Sequence, residues 1–132
     1  MIAAKRILLI EDDEDDQYLF CTAFNAIHPS IHYKIAKNGF EALRLLEECP
    51  SYDFILMDLN MPRMDGFECL ERLKAKEDVK NIPVIVTSTS NRTEDIEKCK
   101  RLGAASFFPK PTSYNELVNE LQRILLSEVS SQ

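Results

Sequence analysis

Four short, unbroken apolar runs punctuate the chain: Ile7-Leu8-Leu9-Ile10, Phe54-Ile55-Leu56-Met57, Val84-Ile85-Val86 and Ser106-Phe107-Phe108. Apolarity that is continuous rather than alternating predicts strands buried on both faces, as in a parallel sheet covered by helices. A fifth segment, Ile31-His32-Tyr33-Lys34-Ile35, does alternate and is expected at a sheet edge. Helical patterns fill the intervals at 15–26, 40–48, 66–76, 94–102 and 114–126. In the last, Leu117, Leu121, Ile124 and Leu125 keep helical spacing behind Ser113-Tyr114-Asn115-Glu116, a capping-box pattern. Five strands alternating with five helices argue for a doubly wound α/β fold with a five-stranded parallel sheet. Parallel strands need crossovers, and right-handed crossovers put helices on both faces.

With 132 residues the chain is expected to form one domain, 1–132, with its core in 6–126 and a frayed polar tail at 127–132. Any output module is expected elsewhere. Sixteen Lys and Arg against 22 Asp and Glu give a net charge of −6, and no segment gathers enough basic residues to track phosphates, so nucleic acid is excluded as a direct partner. Cys21, Cys49, Cys69 and Cys99 are widely spaced and follow no secretory leader, which suits reduced thiols that mostly fill the core. No apolar stretch approaches the roughly 18 residues of a membrane span. A cytoplasmic protein is expected.

In an open doubly wound sheet, ligands bind beyond the carboxyl ends of the strands. Glu11, Asp12 and Asp13 follow the first run directly and Asp58 follows the second, so neighbouring strands would bring three or four carboxylates into one cleft. Such a cluster repels itself unless a cation occupies it, and a small set of hard oxygen donors suits Mg²⁺ better than zinc. His28 and His32 are placed in a loop at the far side of the first crossover and are not ligand candidates. Glu14, Asp15 and Asp16 are assigned the plainer role of complementing the positive end of a helix. An EF-hand reading fails because Gln17 stands where the calcium loop needs glycine. Ser88 and Lys110 then add a hydroxyl and an ammonium at the ends of two further strands.

This combination resembles the response-regulator receiver domains of two-component signalling. The resemblance rests on Asp12-Asp13, Asp58 within Asp58-Leu59-Asn60-Met61-Pro62-Arg63-Met64-Asp65-Gly66, Ser88 after Pro83, and Lys110-Pro111, and it runs from Arg6 to about Leu126. It implies a flavodoxin-like sheet of order 2-1-3-4-5. Asp58 would be the nucleophile that takes a phosphoryl group from phosphohistidine. Asp12, Asp13, Asp58 and the backbone carbonyl of Asn60 would hold Mg²⁺, Lys110 would neutralise phosphoryl oxygens, and Ser88 with Phe107 would form the switch. The implied partners are a sensor histidine kinase or a histidine phosphotransfer protein, plus a downstream protein meeting residues 94–126, with homodimerisation left open. The length and the acidic run resemble small regulators that partner phytochrome-like or hybrid kinases.

Three features depart from that pattern: serine rather than threonine at 88, the bulk of Thr89, and Pro109, which fixes φ and removes an amide just before the lysine. The resemblance further implies a cis Lys110–Pro111 peptide. Two other functions fit the residues less well. An aspartyl-nucleophile phosphatase would need a second acid at position 60, where Asn60 cannot shuttle a proton, and a flavodoxin-like carrier would find its phosphate repelled by Glu11-Asp12-Asp13. The chain is thus expected to be no enzyme beyond its own phosphorylation and autodephosphorylation.

Overall fold

A computed structural model describes residues 5–89 and 92–130, with side chains described as far as residue 125 of the last helix. The order is β1(Lys5–Ile10), α1(Glu14–Ile27), β2(Ile31–Ala36), α2(Gly39–Glu48), β3(Phe54–Asp58), α3(Gly66–Ala75), β4(Val84–Ser88), α4(Thr93–Arg101), β5(Ser106–Pro109) and α5(Tyr114–Ser130). All pairings are parallel and the strand order is β2-β1-β3-β4-β5. The alternating segment is indeed an edge, β2, and β5 forms the other edge. His32 lies inside β2 rather than in a loop, while His28 caps α1. α5 continues to Ser130, past the expected end at residue 126, so only residues 131–132 of the expected tail lie outside the described residues.

The unbroken runs are explained by two cores, one on each side of the sheet. Leu8, Ile10, Ile55, Met57, Val84 and Val86 face α2, α3 and α4, whereas Ile7, Leu9, Phe54, Leu56 and Ile85 face α1 and α5. Successive side chains point to opposite faces, so a strand covered twice must be apolar at every position. Cys69 and Cys99 are buried, Cys21 and Cys49 half-buried, and all four are free thiols. Helix starts are set by short acceptors: Asn38 takes the Glu41 amide at 2.8 Å, Asp65 that of Glu68 at 2.9 Å, and Ser113 that of Glu116 at 3.2 Å. Among the described residues, no helix is long and apolar enough to cross a membrane.

Register carries this architecture to its carboxyl edge. Ile10 pairs with Met57, Asp58 with Thr87, and Ser88 with Pro109, so Glu11, Asp58, Ser88 and Lys110 emerge side by side. The loop after β3 is folded back by Gly66, whose amide donates to the Leu59 carbonyl at 2.9 Å. A Cβ at Gly66 would lie 2.6 Å from Leu59 Cα and 2.8 Å from its carbonyl oxygen, and backbone cannot give way as a side-chain tip can. Gly66→Ala should therefore cost about 1–3 kcal/mol of stability, read as a lowered urea midpoint; an unchanged midpoint would mean that the Leu59 segment moves freely.

Candidate functional site

Lys110 stands at the centre of the carboxyl edge. Its base is fixed by the backbone: Ala105 donates its amide to the Val84 carbonyl, and the alternation of a parallel pair would bring the amide of residue 109 to the Ser88 carbonyl. Proline has no amide, and that of Lys110 takes the Ser88 carbonyl instead, at 2.8 Å. Pro109 thus advances the ladder by one residue onto the lysine rather than loosening it. No peptide among the described residues is cis, so Lys110–Pro111 is trans, contrary to the expectation drawn from resemblance. Trans is the ordinary preference of an X–Pro bond, and the lysine is aimed by its amide and its ion pairs.

Three carboxylates surround the ammonium. Nζ is 2.7 Å from Asp16 Oδ2, 3.1 Å from Glu11 Oε1 and 3.3 Å from Asp58 Oδ2. Glu11 is fully buried and Asp58 nearly so. The Glu11 Oε2 atom accepts the Asp13 amide at 3.2 Å, but Oε1 has no partner in hydrogen-bond geometry, and its contact with Lys110 is ionic alone. Gln17 Nε2 donates to the Glu11 carbonyl at 2.7 Å and pins the turn leaving β1.

One shift in phase separates this site from its sequence-based outline. Carboxylate oxygens of Glu11, Asp12 and Asp58 gather within 4.8 Å of one another, whereas Asp13 lies outside the group. Because α1 begins at Glu14 and not at Asp15, Asp13 becomes its N-cap, and its Oδ1 accepts the Asp15 amide at 2.9 Å. Glu14 and Asp15 occupy the acidic first turn as expected, but Asp16 from that same turn reaches Lys110. Asp16 is the residue that sequence reasoning left out of the site; Glu11 was placed in the cleft, directly after the buried run, but not among the metal ligands. Asn60 donates its amide to Asp58 Oδ1 at 3.1 Å, and its side-chain oxygen accepts from Ser88 Oγ at 2.7 Å. Ser88 is buried, Thr89 exposed, and Phe107 half-buried against the α2–α4 core.

Burial, followed by the charge of Asp58, pushes the Glu11 carboxyl up to about 7, against the opposing pull of Lys110 and the Asp13 amide. Asp58 is likewise raised by burial, with Lys110 and the Asn60 amide working the other way. For Lys110, burial lowers the value, but the hydrogen bond it donates to Asp16 and the charges of Asp58 and Glu11 outweigh it and hold the ammonium above the ordinary lysine range. One cation among four carboxylates leaves an excess of negative charge. The orphaned, buried Oε1 of Glu11 and an all-oxygen donor set fit a hard divalent ion such as Mg²⁺.

The electrostatics set the pH response of stability. Both buried carboxyl groups hold a proton more tightly in the folded than in the unfolded chain. The folded state therefore binds the extra proton between the ordinary glutamate value of 4.5 and about 7, and stability falls as pH rises through that window. In chelator, the thermal midpoint should drop between about pH 5 and about pH 7.5. Millimolar Mg²⁺ should recover it at the higher pH, and Glu11→Gln should flatten the profile. A Glu11→Gln profile identical to that of the parent would contradict the assignment.

The chain matches the response regulator receiver domain family over residues 7–122. It is 30% identical over 126 residues to the response regulator Rcp1 of Synechocystis sp., covering 91% of this chain and 86% of that protein. The crystal structure of Rcp1 in its Mn²⁺-bound form superposes with a TM-score of 0.81 at 31% identity, over 91% of each chain. The phosphorylated cyanobacterial phytochrome response regulator RcpA superposes with a TM-score of 0.89 at 29% identity, over 98% of this chain and 97% of its own. The receiver domain of the sensor histidine kinase PA1611 from Pseudomonas aeruginosa PAO1, described with a magnesium ion coordinated in the active-site cleft, gives 0.81 at 28% identity over 97% and 99%. The chain spans only 15–23% of the length of the plant response regulator-like proteins that it also matches. With strand order, acidic cluster and a match across most of its length in agreement, the chain belongs to the response regulator receiver domain family of two-component signalling.

Proposed function

We propose that this receiver takes a phosphoryl group onto Asp58 from the phosphohistidine of a sensor histidine kinase or histidine phosphotransfer protein, and signals through phosphorylation-dependent protein binding in the cytoplasm. The observation that carries this reading is Asp58 itself: a buried carboxylate at the end of β3, with Lys110 Nζ 3.3 Å from Oδ2 and two further carboxylates close by. An Asp58 oxygen would form a bond to phosphorus as the phosphorus–nitrogen bond to imidazole breaks. The electron pair stays on the imidazole nitrogen, and the product is an acyl phosphate. Lys110 supplies fixed positive charge where phosphoryl oxygens gather, without reorganising its backbone. Glu11, Asp12 and Asp58, completed by the Asn60 carbonyl, would hold Mg²⁺, which when bound neutralises phosphoryl charge.

Asn60 also argues against turnover as a phosphatase. Its side-chain oxygen is engaged by Ser88 at 2.7 Å and it has no proton to shuttle, so no external substrate is processed and only slow self-hydrolysis remains. The Ser88 hydroxyl is the natural sensor, since it can leave Asn60 for an oxygen that exists only on modified Asp58. Phe107 would then move into the space that Ser88 leaves, altering the 94–126 surface. A cleft of about 610 Å³ lies in that segment, between Phe108–Thr112 and Glu116, Asn119, Glu120 and Arg123, and provides a recess for a partner.

Intact-mass measurement after treatment with Mg²⁺ and a small phosphodonor should show one added phosphoryl group, absent from Asp58→Asn and from samples in EDTA. Labelling that survives either change would sink the reading. With a beryllofluoride mimic, amide shifts should spread from the site into α4, β5 and α5 and should shrink in Ser88→Ala. Shifts that stay around Asp58 and Lys110 in the parent would remove the proposed route.

A further inference from the structure

We infer that Asp16 is a positioning residue for Lys110: from the first turn of α1 it holds the ammonium in a resting place shared with Asp58 and so restrains its transfer to a phosphoryl group. This rests on Asp58 being the phosphoacceptor. The shortest contact of Nζ, 2.7 Å, is to Asp16 Oδ2, against 3.3 Å to Asp58 Oδ2, and Asp16 lies outside the acidic group formed by Glu11, Asp12 and Asp58. Glu14 and Asp15 already give α1 an acidic first turn, so the helix does not need a third carboxylate there.

The base of Lys110 is held by the hydrogen bond its amide donates to the Ser88 carbonyl and by proline on either side, which leaves only the side chain free to redistribute. A cleft of about 90 Å³ opens on the Asp16 side of the ion pair, lined by residues that include Asp16, Leu19, Lys110, Pro111 and Tyr114, so the lysine is not packed in on that side. An ammonium has three donors: two are committed by hydrogen bonds to Asp16 and Asp58, and Nζ also lies 3.1 Å from Glu11 Oε1. A phosphoryl group on Asp58 competes for these donors with more charge than the carboxylate it replaces. An interaction made in the resting state and weakened in the transition state slows the reaction. The Asp16 charge also adds to the negative potential met by an anionic phosphodonor. Both effects have the same sign.

The test uses the full chain with acetyl phosphate and Mg²⁺, following the rate of Asp58 labelling by intact mass. Asp16→Asn should label about two- to five-fold faster than the parent, the range a partly exposed ion pair supports. Asp16→Glu, which keeps the charge, should stay near the parent rate. A change in helix stability alone would not move the NMR signal of the Lys110 Nζ group, which should shift in unlabelled Asp16→Asn. Equal or slower labelling of Asp16→Asn, or an unmoved Nζ signal, overturns the role of Asp16 while leaving Asp58 as acceptor. A parent that takes no label removes the acceptor assignment, and this role with it.

Discussion

An ammonium set among carboxylates governs this molecule. Lys110 touches Asp16, Glu11 and Asp58, which come from α1, the end of β1 and the end of β3, so one side chain ties three elements together across the carboxyl edge. Two of these carboxylates are buried, where an unpaired charge is costly and a missing partner leaves the other charge stranded. Holding that arrangement requires register before chemistry. The pairings Ile10 with Met57, Asp58 with Thr87 and Ser88 with Pro109 place the donors and acceptors, and two apolar cores keep those registers from slipping.

The sheet was legible because burial on both faces leaves its mark on every residue of a strand. Ile7 to Ile10 and Phe54 to Met57 could hardly be placed otherwise, and the alternation in 31–35 marked an edge correctly. The last helix was less legible at its end. A polar sequence after Leu126 resembles fraying, yet α5 runs to Ser130, since helix continuation needs no apolar residue once several turns are in place.

At the site, Asp58, Ser88 and Lys110 were legible from strand ends, while the acidic run was not resolved residue by residue. Six consecutive acids carry no periodicity, so only the phase of α1 tells them apart. A helix that starts at Glu14 turns Asp13 into a cap, Asp12 and Glu11 into neighbours of Asp58, and Asp16 into a partner of Lys110. A boundary moved by a single residue therefore takes Asp13 out of the cluster and gives Asp16 to Lys110, and helix boundaries are where propensity says least. The cis peptide expected at Lys110–Pro111 came from the resemblance alone, with no residue pattern behind it, and the bond is trans.

The Ser88 to Asn60 hydrogen bond bears on how tight the proposed switch can be. Phe107 lacks a hydroxyl that could hold it outward, which by itself would let the inward state be populated before phosphorylation. In the proposed switch Phe107 enters the place that Ser88 leaves, so the Ser88 to Asn60 bond opposes the inward state. A buried hydrogen bond of this kind is worth about 1 kcal/mol net, enough to disfavour the inward state about five-fold. A ligand shifts an equilibrium only by its differential affinity for the two states. A phosphoryl oxygen therefore has to outbid the Asn60 oxygen as acceptor for one hydroxyl, and its greater charge, in a pocket with little water, gives it that advantage. Restraint in the resting state thus resides in the loop after β3 rather than in the aromatic ring, and the segment Asn60–Gly66, folded tightly against Leu59, is the part of the fold on which that restraint depends.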